Sequence, residues 1–185
     1  MPPHDRTELL TAIEAGREFS YLPFYGHRAE PGTPAGPWLF SQWWPAGFTV
    51  DGQMYRSTEQ YMMERKADLF GDTATAARIL DADSPAEAKQ LGREARGFDS
   101  ATWRRHRFDI VVRGNEAKFG QDDALAEHLR STGDTVLVEA SPDDRVWGVG
   151  RALDDPAATD PRQWDGENLL GFALMRVRDA LRTQS

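Results

Sequence analysis

The chain contains no cysteine, which removes disulfides, thiolate catalysis and cysteine-based zinc sites from consideration. No apolar run approaches the roughly 18–20 residues needed to span a bilayer. The start, Met1-Pro2-Pro3-His4-Asp5, lacks the basic-then-apolar order of a signal peptide. No membrane association and a cytoplasmic address are therefore the default expectations. Positive charge is also short: the formal net charge is −8, opposite in sign to proteins that track long stretches of nucleic acid. There is no phosphate-binding glycine-rich loop, no serine nucleophile elbow and no dinucleotide fingerprint. His27 and His106 stand alone, without metal-ligand spacing; neither a metal nor another cofactor is expected. Lysine is scarce as well. Of 22 basic residues only Lys66, Lys89 and Lys118 are lysines, and an amine, unlike a guanidinium, can deprotonate and act as a nucleophile.

What remains is an ordinary globular composition, 39% hydrophobic over 185 residues, enough for one core and read as a single domain, 1–185. Helical spacing marks Arg6 to Gly16. Residues 29–37, with three prolines and two glycines, form a loop. An aromatic-dense stretch follows at Trp38–Trp44, for which packing is the expected role. Phe48 to Tyr55 carries an Asp51-Gly52 turn between short apolar stretches and predicts a β-hairpin. Helices are then predicted at 57–70, 73–82, from Ser84 (Ser as cap, Pro85 first, Glu87 three on), and across 100–119 with an interruption near Gly114. Another covers 122–131, ending at Thr132-Gly133. Thr135–Glu139 is the best strand; 151–166 reads as loop, and 168–181 as a closing amphipathic helix. The expectation is an α+β fold, rich in helix with a small sheet.

Ser57–Phe70 places Glu59 and Lys66 seven residues apart. That is nearly two turns, so both lie on one helix face about 10 Å apart by rise, over an apolar body of Met62, Met63, Ala67, Leu69 and Phe70. An acid and an amine flanking one pocket suit chemistry at a sugar anomeric carbon. Each also has a plain reading: Glu59 as a first-turn acid favoured by the helix dipole, Lys66 as a solvated helix residue. Ser141–Gly150 combines Asp143, Asp144, Trp147, Gly148 and Gly150 directly after the best strand, where a rigid element holds a loop; its plain reading is a turn with a capping Asp and a core Trp. Trp103 with Arg104, Arg105 and Arg107 is either a stacking platform beside anion-binding guanidiniums or a core Trp with a basic edge.

Together these segments carry a resemblance. The order Leu39-Phe40-Ser41-Gln42-Trp43-Trp44-Pro45, Phe48, Thr58-Glu59-Gln60-Tyr61-Met62-Met63 through Lys66-Ala67 resembles the NADAR (YbiA-like) family. So do Ala88–Arg93, Gly97-Phe98-Asp99 with Trp103, and Gly114-Asn115 with Ala117-Lys118-Phe119. The resemblance continues through Leu137–Pro142, Asp144, Trp147–Gly150, Trp164, and Gly166 with Asn168-Leu169-Leu170-Gly171. It is clearest from about residue 37 to 182.

The resemblance implies an N-glycosidase fold and activity: hydrolysis of the bond between a ribose C1′ and nitrogen. Two substrate classes are implied, riboflavin-pathway pyrimidine ribosylamine phosphates and ADP-ribose attached to guanine in nucleic acid. The partner is thus a small nucleotide-like molecule or an ADP-ribosylated nucleic acid. Glu59, Trp103 and Asp144 fall where family members carry functional side chains, and Lys66 on the lysine proposed to bond the ribose. Glu59, Lys66 and Asp144 are the catalytic candidates; Gln42, Trp103, Lys118, Trp147, Gly148 and Asn168 are the substrate-binding candidates. Gln42 departs from the Ser-Asn wording common in the family, keeping the amide one methylene further out. For Asn168, ribose hydroxyls and capping of the final helix are the two readings. The competing class is a non-catalytic module binding ADP-ribose or NAD, which requires the acid and amine positions to be idle. Oligomeric state is not legible.

Overall fold

The computed structural model describes residues 3–183. Their contacts form two compact units, divided between Ser41 and Gln42 and again between Asp122 and Asp123. The described residues hold seven α-helices and two two-stranded sheets, an α+β arrangement as expected.

The inner unit comprises Gln42–Asp122; the outer unit, named only for its place along the sequence, comprises the described residues up to Ser41 and from Asp123. Its sheet pairs β1 (Tyr21–Phe24) with β4 (Val136–Glu139) in parallel, Tyr21 opposite Val136 and Phe24 opposite Glu139. Val136, Leu137 and Val138 are all fully buried, the continuous apolar run expected of a strand covered on both faces. Helix α7 (Leu169–Thr183) packs on β4. A side chain on Gly171 would collide with the Leu137 carbonyl, so glycine sets how closely helix and strand approach. Helix α1 (Arg6–Glu14) is capped by Asp5, whose Oδ1 accepts from Glu8 N–H at 2.8 Å. Helix α6 (Asp123–Ser131) lies against α7. The aromatic stretch begins as a 3-10 turn, Pro37–Phe40, with Trp38, Leu39 and Phe40 buried; for these three, packing is the role found. The loop at 151–166 contains two further 3-10 turns, Pro156–Thr159 and Pro161–Gln163, capped by Asp155 and Asp160.

The inner unit begins with the expected hairpin, β2 (Phe48–Val50) and β3 (Gln53–Tyr55). Asp51 and Gly52 at the turn have φ of 50° and 83°, the left-handed pair that a two-residue hairpin loop requires. Helix α2 (Thr58–Leu69) is central and touches α3 (Thr73–Asp81), α4 (Pro85–Arg93) and α5 (Ser100–Gly120). Helix α5 runs unbroken through Gly114, contrary to the expected interruption. A Cβ there would stand 2.6 Å from Tyr61 Cδ1, so Gly114 seats the α2 aromatic rather than ending a helix. Phe48, Tyr55 and Tyr61 form an aromatic cluster with centroids 5.0–6.2 Å apart, with Val50 completing the buried group. Among the described residues no helix is long and apolar enough to cross a membrane.

Candidate functional site

In the inner unit the chemistry gathers on α2. Ser57 caps the helix by accepting from Gln60 N–H at 3.2 Å. Gln42 supports the same first turn from outside: its carbonyl accepts from Glu59 N–H at 2.9 Å and from Thr58 Oγ1 at 3.2 Å. Those contacts satisfy a donor that a helix start leaves without a partner inside the helix. Glu59 is thereby fixed in the first turn and is only 3% exposed. The Gln42 side chain accepts from Asn115 Nδ2 at 2.9 Å, and Asn115 also donates to the Val111 carbonyl at 2.9 Å. Asn115 Oδ1 is buried without a hydrogen-bond partner. Gln42 and Asn115 thus make a buried polar seam between the α2 start and α5.

Lys66 sits in the last turn of the same helix. Its Nζ donates to the Gly92 carbonyl at 2.9 Å and lies 4.6 Å from the Phe98 ring centroid and 5.9 Å from that of Trp103. Gly92 lets α4 come close, since any side chain there would strike Met63. Burial lowers the Lys66 pKa most, the Arg93 charge lowers it further, and Glu59 opposes both. The neutral amine is therefore more accessible than on a solvated lysine. Lys118, on α5, is 1% exposed, and burial lowers its pKa to about 7. Trp103 is half-buried beside Lys66, and Arg104 and Arg105 on the same helix are exposed.

In the outer unit, Asp144 Oδ1 accepts from Val146 N–H and Trp147 N–H, both at 2.8 Å. This is the capping turn of the plain reading. Trp147 is half-buried. Gly148 is a close-approach position: a Cβ would stand 2.8 Å from the Glu139 carbonyl oxygen and 2.9 Å from that of Asp144. Asn168 adopts φ 56°, a conformation asparagine tolerates better than most residues. Its Oδ1 accepts from Glu139 N–H at 3.0 Å and its Nδ2 donates to the Leu137 carbonyl at 2.9 Å. The fully buried amide thus binds the edge of β4 that does not pair with β1, at the entry to α7.

The structure therefore groups Gln42, Glu59, Lys66, Trp103 and Lys118 in the inner unit, and Asp144, Trp147, Gly148 and Asn168 in the outer one. Two residues entered the sequence reading only within family segments and not as site candidates. Phe98 covers Lys66, a contact made across an interhelical loop and invisible to helical spacing. Glu139 ends β4 with a carboxyl raised to about pKa 8, first by desolvation and then by the Asp144 charge. The available signal was a lone acid closing the run Val136-Leu137-Val138. Among the described residues, no group of three or more His, Asp or Glu is arranged to hold a metal ion.

Known proteins resemble this chain along most of its length. A model of the NADAR domain matches residues 24–182. A protein of Acanthamoeba polyphaga mimivirus named as an N-glycosidase is 41% identical over 164 residues, covering 86% of this chain and 95% of that protein. The N-glycosidase YbiA of Escherichia coli is 28% identical over 138 residues, 75% of this chain and 76% of that protein. A riboflavin biosynthesis protein of Vibrio vulnificus is 32% identical over 143 residues, 77% of this chain and 35% of that protein. The NMR structure of the E. coli protein YbiA superimposes with a TM-score of 0.72 at 24% identity, covering 91% of this chain and 88% of that one, which establishes the shared fold. With the family model spanning residues 24–182, this chain belongs to the NADAR family.

Proposed function

We propose that this chain is an N-glycosidase that hydrolyses the C1′–N bond of a ribosylated base, with Glu59, Lys66 and Asp144 as catalytic residues. The observation that carries the reading is Lys66: an amine desolvated beneath Phe98, held on the Gly92 carbonyl, on the helix that buries Glu59. Such an amine in its neutral form attacks C1′ of a ribosyl group and displaces the base. The base nitrogen keeps the electron pair of the broken C1′–N bond and takes up a proton as the amine loses one. Ring opening then gives an imine, which water hydrolyses to free the ribose and the amine. Glu59 fits the carboxylate that stabilises positive charge developing on the ribose ring. Trp103 offers an aromatic face for the base and Gln42 a buried amide; Lys118, buried in the same unit with its pKa lowered to about 7, is the further amine assigned to substrate binding. Trp147 is the aromatic candidate of the outer unit. Asn168 and Gly148 serve by position, holding β4 and the 141–150 loop in place.

The substrate classes proposed are pyrimidine ribosylamine phosphates of riboflavin biosynthesis and ADP-ribose attached to guanine. The first is supported by the names of relatives in riboflavin biosynthesis; the net charge of −8 favours the same choice over a long nucleic-acid partner. The test is hydrolysis of both substrates by wild type and Lys66→Arg, with borohydride present to trap an imine. Turnover with an adduct trapped only in wild type is the expected result. Binding of ADP-ribose with no turnover of either substrate would replace the enzyme by a binding module.

A further inference from the structure

Phe98 occupies an unusual place in the inner unit. It is 48% exposed, yet the backbone on either side of it is fixed. On one side Arg96 is fastened to Asp72, the buried cap of α3. Its N–H donates to Asp72 Oδ2 at 2.9 Å, and its guanidinium donates to both carboxylate oxygens, at 2.8 and 3.3 Å. On the other side Asp99 caps α5 by accepting from Thr102 N–H at 2.7 Å. Between them Gly97 takes φ 73°, a left-handed turn that glycine adopts without strain. This turn sets the Phe98 ring edge-on to Phe70 at the end of α2, centroids 5.4 Å apart, and over Lys66 Nζ at 4.6 Å. Single exposed apolar residues are ordinary on a protein surface. A ring clamped from both sides and laid over a half-buried amine does more than fill space.

We propose that Phe98 is a positioning residue of the N-glycosidase reaction: with Trp103 it walls the Lys66 amine off from water and keeps it on the Gly92 carbonyl. The inference rests on the N-glycosidase reading above. A lysine amine rides on a flexible four-carbon stem, and a nucleophile fixed before the substrate arrives needs no further ordering to attack C1′. The anchor suits both forms of the amine, since each has an N–H to donate to the Gly92 carbonyl at 2.9 Å. The wall acts in two opposed ways. An aromatic face attracts an ammonium, while the water it displaces leaves the charged form less favoured. Desolvation leads among the causes acting on Lys66, and the net direction of its pKa is down. The charges acting on the amine are Arg93 of α4, which adds to that fall, and Glu59 of α2, which opposes it. From α5 comes the Trp103 ring, 5.9 Å from Nζ. Other charges on these elements are engaged elsewhere: Arg65 by Asp68, Glu94 by Arg78, Arg96 by Asp72, Asp99 by Thr102 N–H and Arg105 by Thr102 Oγ1.

The experiment reads the amine directly and then through catalysis. With three lysines in the chain, the Lys66 Cε signal in carbon NMR is identified by its loss in Lys66→Arg. It is then titrated in wild type, Phe98→Ala and Phe98→Tyr, and kcat/KM is measured against pH for the same proteins on both substrates. In Phe98→Ala the Lys66 midpoint should rise, and kcat/KM near pH 7 should fall about 10-fold, as for a midpoint about one pH unit higher. The deficit should close as pH rises past the new midpoint, because kcat/KM follows the essential groups of the free enzyme. Phe98→Tyr keeps the ring and should restore both readings. A Lys66 midpoint unchanged in Phe98→Ala overturns this proposal and leaves the glycosidase reading standing. A loss of kcat/KM equal at every pH overturns it too, since that marks a merely structural role. Wild type inactive on both substrates defeats the glycosidase reading, and the positioning role with it, even where the titration moves as expected.

Discussion

The two units use one physical effect in opposite directions. In the inner unit burial lowers amines: Lys66 falls, and Lys118 falls to about 7. In the outer unit burial raises an acid, Glu139, to about 8. Desolvation disfavours whichever form is charged, so it pulls amines down and carboxyls up toward the same pH. The supports differ as well. Helix-end groups and interhelical amides hold the inner residues, whereas hydrogen bonds from strand and loop backbone hold the outer ones. Packing alone can therefore bring amines down and an acid up toward neutrality, each within its own environment.

The largest break in this comparison is Lys66→Arg. It keeps the charge and removes the nucleophile, so kcat should fall by about 1,000-fold or more, roughly 4 kcal/mol of barrier, in single-turnover assays, with the far-ultraviolet spectrum unchanged. Gly171→Ala comes next. Its methyl would strike the Leu137 carbonyl, and overpacking against backbone is expected to cost about 3 kcal/mol in urea unfolding. Asn168→Ala leaves Glu139 N–H and the Leu137 carbonyl without their partner, a loss of about 2 kcal/mol by the same measurement.

The pH dependence of stability sharpens the contrast. Glu139 is raised from 4.5 to about 8, so the native state holds more protons across that window. Its contribution is complete below pH 4.5 and declines as pH rises to 8. Lys118 is lowered from 10.5 to about 7, so the unfolded state holds more protons there, and stability rises from pH 7 to 10.5. Unfolding measured along a pH series should lose the first slope in Glu139→Gln and the second in Lys118→Met. The smallest effect belongs to Arg113→Ala. Its ion pair with Asp51 at 2.6 Å joins side chains 55% and 73% exposed, and removal should change stability by no more than about 0.5 kcal/mol in 0.15 M salt.

Much of the local structure was legible because local chemistry specifies it. Ser84-Pro85-Ala86-Glu87 predicts a helix start, and Ser84 Oγ does accept from Glu87 N–H at 3.2 Å. Asp51-Gly52 predicts a hairpin turn, and both residues take left-handed φ. Strand β1 was not legible: four residues containing Pro23 lack any periodicity, and they become a strand only by pairing with β4. Pro23 is tolerated because a two-stranded sheet has only edges. Gly114 misled for a related reason. By propensity it breaks a helix, but the Tyr61 ring occupies the space its side chain would need.

The sequence alone determined which groups are available: no thiol, three lysines, the Glu59–Lys66 spacing on one helix, and an Asp in a loop after the best strand. It also determined the family, because ordered motifs persist along nearly the whole chain. Tertiary structure alone decided their chemical character. Phe98 over Lys66 and the desolvation of Lys118 and of Glu139 depend on residues from different turns, loops and strands. A pKa depends on what surrounds a group in space, and spacing along the chain does not encode that surrounding.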